Sequence, residues 1–173
     1  MSEKNKAVVR RLLEEVWGAG QLDVADELVH RSEYRSHIDE AFPPGMEHAL
    51  GPRIVTTEVQ VYRSAFPDLA VELGEVVAEA ELIAVLWQIS GTNTGSLKLE
   101  PSNESSDDDV APTNKELRTS ATSLFTVKGG RITAATYRWA PLGLLEQIRL
   151  FDRGVATLAL GATLVSLVVP PEA

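Results

Sequence analysis

The sequence predicts an α+β fold in which helices cover one face of a curved antiparallel sheet. Three observations carry this prediction. Up to Ala65 the apolar residues recur at three- and four-residue spacing, from Leu69 onward they alternate with polar ones, and two β-rich runs meet at Lys128-Gly129-Gly130. The first pattern is that of helices with one buried stripe. The second is that of strands with one buried face. The third is a hairpin signal, because glycine takes the positive φ of a tight turn without a Cβ penalty.

Between Asn5 and Trp17, the residues Val8, Val9, Leu12, Leu13, Val16 and Trp17 share a helical stripe, and Gly18 and Gly20 end the helix. A short second helix is predicted from Asp23 to Val29, with Asp23 as its N-cap and Val24, Ala25 and Leu28 turned inward. Glu33 to Ile38 reads as a short strand or an extended lid segment. The turn-rich stretch from Ala41 to Pro52 predicts a surface loop. Pro52 then opens a third helix, with Ile54, Val55, Glu58, Val59, Tyr62 and Ala65 on one face, and Pro67 closes it.

Leu69, Val71 and Leu73 begin the alternation. After a turn around Glu79-Ala80-Glu81, Ile83, Val85, Trp87, Ile89 and Asn93 line one side of the strongest strand in the chain. Lys98 to Thr113 is rich in Ser, Asp, Asn and Pro and cannot bury enough apolar surface to offset the entropy of ordering it, so a mobile acidic loop is expected there. The hairpin strands run from Arg118 to Val127 and from Arg131 to Ala140. Pro141 suits the first turn of a helix reaching about Arg153, since that turn leaves its N–H unpaired anyway. One domain over residues 1–153 is followed by a tail, 154–173, whose apolar run is shorter than the roughly twenty residues of a spanning helix. The tail is expected to pack on its own domain or on a second subunit, and a homodimer is predicted.

Composition narrows the function. The 173 residues, 44% of them hydrophobic, with a mean hydropathy of −0.04, suit one globular domain. A net charge of −9 argues against a nucleic-acid partner, which needs a basic surface. The chain has no cysteine and three histidines without paired-ligand spacing, so neither a thiolate nor a histidine metal site is expected. The charged N-terminus lacks the apolar core of a signal peptide, and a cytoplasmic protein with no membrane contact is expected. Asp107-Asp108-Asp109 reads as solvated loop charge and not as a metal site.

The segments AFPDL (Ala65 to Leu69), VLWQISGTNTG (Val85 to Gly95), PTNKEL (Pro112 to Leu117), GGRI (Gly129 to Ile132) and LGLLEQI (Leu142 to Ile148) follow in order. Together they resemble the SnoaL-like polyketide cyclases of the NTF2-like superfamily, over about residues 5 to 150. The resemblance implies an NTF2-like cone around a pocket. It also implies ring closure on a polyketide-type intermediate by intramolecular aldol chemistry, with no metal or organic cofactor and an acidic residue as general acid/base. Such a carboxylate works best in an apolar pocket that brings its pKa near the working pH. The family's last-strand pattern falls on this chain with Thr136 at its Trp, Tyr137 at its first Asp and Ala140 at its second, so both acids are replaced. The histidine of the family's GTHTG turn is Asn93 here, and the histidine after the second helix is retained as His37.

The catalytic candidates are thus His37, Asn93, Tyr137 and Arg138. The substrate-binding candidates are Tyr34, Glu58, Tyr62, Trp87, Thr122 and Trp139. His37 would be the base by resemblance, or else a strand-edge histidine bonded to backbone. Trp87 and Asn93 share a strand face, as an aromatic wall and an amide for a substrate carbonyl, or with Trp87 simply in the core. On the last strand two faces compete: Thr136 and Arg138 look inward if the family's face is kept, Tyr137 and Trp139 if hydrophobicity decides. An inward Arg138 needs an anion, for which Glu58 is a candidate. The expected function is a cofactor-independent cyclase that folds a hydrophobic small molecule in an aromatic pocket and closes a ring by fixing the reacting atoms in contact. A non-catalytic small-molecule binder and a cofactor-free oxygenase are the alternatives.

Overall fold

The computed structural model describes residues 2–38, 51–96 and 111–138. The expected α+β architecture is present. Helix α1 (Ser2–Arg11) runs on into a π-helical segment (Leu12–Gly18), closed by the Ala19 N–H donating to Glu14 O at 2.9 Å. Val9, Leu12, Leu13, Val16 and Trp17 of this rod are fully buried, as the stripe requires. The wider π turn is a local departure from α geometry of a kind found often at functional sites, and here it carries Trp17.

The second helix differs from expectation in its start. Asp23 lies within a 3₁₀ turn (Leu22–Val24), and α2 (Ala25–Leu28) has Val24 at its N-cap with no side-chain cap bond. A backbone bond from Val24 N to Gln21 O, 3.2 Å, tightens the entry instead. Arg131 from the last hairpin donates to Asp26 O and Val29 O at the far end, where a cation meets the carbonyl end of the helix.

Helix α3 (Pro52–Ala65) begins at the expected proline. Gly51 before it has φ +67, and a Cβ there would run into the Arg31 carbonyl, so only glycine fits this junction. Ile54, Val55, Glu58, Val59 and Ala65 are buried along one face.

Five strands form one sheet in the order β1-β5-β4-β3-β2: β1 (Arg35–Ile38), β2 (Ala70–Glu79), β3 (Leu82–Thr92), β4 (Glu116–Lys128) and β5 (Arg131–Arg138). All neighbours are antiparallel except β1, which joins β5 in parallel, with Ser36 opposite Ala135 and His37 opposite Thr136. Gly129 and Gly130 both take positive φ, +56 and +78, the pattern of a type I′ hairpin turn. Strand β4 alternates buried and exposed along nearly its whole length. Its buried residues Leu117, Ala121, Phe125 and Val127 join Ile83, Val85, Trp87 and Ile89 of β3 under the helices. Each large side chain fully withdrawn from water there contributes about 1.5–3 kcal/mol.

No helix among the described residues is long and apolar enough to cross a membrane. The predicted loop from Ala41 to Leu50, most of the acidic loop (97–110), Trp139, the helix after Pro141 and the apolar tail lie outside the described residues. The far end of the acidic loop is described and is anchored: Thr113 donates twice to Asn93 Oδ1, from its backbone N–H and its hydroxyl, each at 2.9 Å.

Candidate functional site

The inner face of the sheet, α3 and the π segment bring aromatic side chains together. Trp17 lies 5.8 Å from Tyr62, 5.7 Å from Trp87 and 6.0 Å from Tyr137, centroid to centroid. Phe125 meets Tyr137 edge-on at 5.7 Å, a favoured arrangement for aromatic rings. Trp87 is oriented by its indole N–H, which donates to Ser123 Oγ at 2.9 Å. All three tyrosines of the chain, Tyr34, Tyr62 and Tyr137, belong to this cluster or border it.

Glu58 stands among them. It is 1% exposed, and neither carboxyl oxygen makes a hydrogen bond. It sits one helical turn before Tyr62, at the i,i+4 spacing that places two side chains on one face. Burial pushes its carboxyl up to about 8, against an opposing pull from the Ser36 hydroxyl. The buried Tyr34 and Ser36 hydroxyls also lack a hydrogen-bond partner. Burial raises Tyr34 well above its ordinary value, with Tyr137 and Glu58 adding to the rise. Burial and then Glu58 push Tyr62 up to about 12 and raise Tyr137 too, the latter against opposing pulls from Tyr34 and Trp17. The three phenols therefore stay neutral through the physiological range, and the carboxyl is the described group among them that changes charge near it. Buried polar atoms left without partners in a well-formed core call for a ligand or a catalytic role.

The last strand resolves the competing faces. Tyr137 is buried, opposite Ser123, while Arg138 is exposed on the other face, opposite Thr122. An inward Arg138 paired with Glu58 is thus corrected, since Phe125, Trp17 and Trp87 give Tyr137 the apolar contacts that a guanidinium would forgo. Thr122 is exposed on the outer face as well and does not line this site.

Asn93 is corrected too. It is buried just past the end of β3, yet its Nδ2 donates to Ala65 O and Gly95 O and its Oδ1 accepts both bonds from Thr113. An amide so fully engaged is a clamp between α3 and the β4 entry, with no capacity left for a substrate carbonyl. His37 enters the picture through its backbone, in register with Thr136.

Trp17, Ser36, Phe125 and Ser123 belong to the candidate site and were passed over by sequence reasoning, which placed Glu58 only as a binding group or an arginine's partner. The signal for Glu58 was its position as the one acid on the buried stripe of α3, between Val55 and Val59. Among the described residues no three His, Asp or Glu side chains gather as a metal-ligand group.

The family model described as SnoaL-like polyketide cyclase matches residues 7–148. The chain belongs to the SnoaL-like polyketide cyclase family. Solved structures of the NTF2-like fold resemble this SnoaL-like protein across most of its length. A candidate SnoaL-like polyketide cyclase from Jannaschia sp. CCS1 matches with a TM-score of 0.69 at 23% identity, covering 86% of this chain and 93% of the other. A candidate polyketide cyclase from Acidithiobacillus ferrooxidans gives 0.65 at 21%, covering 85% and 95%. IdmH from Streptomyces antibioticus, described as a candidate polyketide cyclase, gives 0.64 at 19%, covering 84% and 98%. At these identities the likeness establishes the fold. Comparison with curated proteins finds no match. In this SnoaL-like protein the buried carboxyl of the candidate site comes from α3.

Proposed function

We propose that the chain is a cofactor-independent cyclase that closes a ring on a polyketide-type intermediate. Membership of the SnoaL-like family and the candidate cyclases among its structural relatives support the class. The observation that carries the chemistry is Glu58, a buried carboxyl without a hydrogen bond, set against tyrosines and tryptophans.

The reaction is an internal aldol closure. A carbon next to one carbonyl loses a proton, the resulting enolate carbon forms a bond to a second carbonyl carbon of the same molecule, and that carbonyl's oxygen takes up a proton. The product is an isomer of the substrate, so the step balances without an oxidant or reductant. Glu58, held near neutrality in charge at working pH, supplies a proton to oxygen as it becomes anionic. His37, kept from the family pattern, is the proposed base. The wall of Trp17, Trp87 and Tyr137 holds a flexible chain folded, and such positioning can contribute several kcal/mol.

The test is to give the purified protein a synthetic linear poly-β-ketone ester and follow the appearance of a ring-closed isomer of unchanged mass. Acceleration is expected, with Glu58→Gln and His37→Ala each lowering the rate about a hundredfold or more. Tight binding without any acceleration would make the chain a binding protein. Activity restored only by added metal, flavin or nicotinamide would overturn the cofactor-free reading.

A further inference from the structure

We propose that Glu58, Tyr34 and Ser36 together form a subsite for one uncharged oxygen of the ligand, a ketone oxygen in the substrate and the enol or phenol oxygen it becomes. The inference rests on the cyclase reading for its substrate class but stands on a separate observation. Four polar atoms from two parts of the chain lack hydrogen-bond partners in the interior: both carboxyl oxygens of Glu58 on α3, and the hydroxyls of Tyr34, just before β1, and Ser36, on β1. The Ser36 hydroxyl acts on the ionisation of both Tyr34 and Glu58, lowering each.

Leaving one such group unsatisfied in the interior carries its full desolvation cost. Four together in one place are a standing cost that a ligand oxygen would relieve, because a neutral carboxyl and two hydroxyls can all donate to it and the ligand's own O–H can be accepted in return. Tyr34 and Ser36 are two apart in an extended segment, so both turn to the same side of β1. The parallel pairing of β1 with β5 sets that side against the buried Ala135 and Tyr137. The aromatic wall then flanks the oxygen, which suits a ligand that is flat and apolar beyond it.

Charge sets the selectivity. The titratable groups that face Glu58 among the described residues are Tyr34, Tyr62 on its own helix and Tyr137 from β5, all with raised pKa values. No described cation acts on the Glu58 carboxyl. The subsite therefore favours neutral oxygens and disfavours carboxylates, and it turns repulsive to an electron-rich oxygen once Glu58 ionises.

The experiment uses the full chain and 2-naphthol, followed by its fluorescence, with 2-naphthoate as the charged control. The protein should bind naphthol and reject naphthoate at about pH 6.5, and naphthol affinity should fall as the pH rises through the range in which Glu58 loses its proton. Tyr34→Phe should weaken binding about tenfold. Glu58→Gln, which keeps a donor, should bind within a few-fold at low pH but lose the fall. Thermal melts of each variant establish that it is folded, and Ser36→Ala provides a second probe should Tyr34→Phe fail to fold. Equal binding by wild type and all folded variants at every pH, or a preference for naphthoate, would overturn the subsite. Naphthol binding with this pH signature but no ring closure would leave the subsite standing and remove the cyclase reading. Ring closure with no such signature would do the reverse.

Discussion

Trp87 donates its indole N–H to Ser123 Oγ across the β3–β4 pair at 2.9 Å, with both side chains buried. The bond fixes the rotation of one of the two indole rings in the inner wall. Ser123→Ala removes the acceptor from a buried donor and should lower stability by about 1–3 kcal/mol, read as a shift in the urea midpoint. Adding Trp87→Phe, which removes the donor as well, should cost less than the two single changes would sum to. Strict additivity would mean that the bond does not orient the ring.

Asn93→Ala should act on folding and leave chemistry largely alone. The side chain makes four hydrogen bonds, to Ala65, to Gly95 and two to Thr113, each worth about 1 kcal/mol net. A loss of roughly 2–4 kcal/mol of stability is expected, with the turnover of the folded fraction changed only a few-fold. A hundredfold fall in turnover with an unshifted melt would return Asn93 to the catalytic set.

These two residues show where the sequence was legible and where it was not. Alternation placed Trp87 and Asn93 on one strand face, and both are buried, Trp87 within β3 and Asn93 just past its end. It could not show that Thr113, across the acidic stretch, would saturate the amide, because that pairing depends on how β4 enters the sheet. The faces of β5 were equally ambiguous: Tyr137 and Arg138 are adjacent, each chemically plausible inside. The β4–β5 register, which sets Tyr137 opposite Ser123, decided it. Glu58 was visible as an acid on an apolar stripe, but its isolation from any described cation depends on Arg138 facing away. The π segment was not legible at all, since Leu12, Leu13, Val16 and Trp17 fit an α-helical stripe equally well.

We propose that the outer sheet face joins two copies of the chain. Ala84 on β3 is paired across the sheet with Val77 and Leu124 and is flanked along its strand by Leu82 and Leu86. The four larger side chains are 61%, 41%, 43% and 50% exposed, respectively. Adjacent exposed apolar side chains on a sheet face are typical of an interface between protomers. Light scattering at micromolar concentration should give twice the chain mass, and Leu86→Glu with Leu124→Glu should give the single mass with an unchanged fold. A wild-type monomer would end this proposal.

Glu58→Gln should make the protein more stable at pH 8 and hardly alter it at pH 4. The folded-state pKa of Glu58 is raised to about 8 by burial, whereas an unfolded glutamate titrates near about 4.3. Between these values the folded chain holds a proton that the unfolded chain has released. The unfolded state thus binds fewer protons, and stability falls as pH rises across that window, by about 1.4 kcal/mol per pH unit. Below it both states are protonated and the penalty vanishes. Glutamine keeps the shape and cannot ionise, so its melting temperature should pull ahead of wild type progressively from about pH 5 to pH 8. Such a gain in stability together with a loss of ring closure is the expected mark of a strained catalytic group. Parallel melting curves for the two proteins across this range would show that Glu58 ionises normally, and with that the acid assigned to the reaction would be lost.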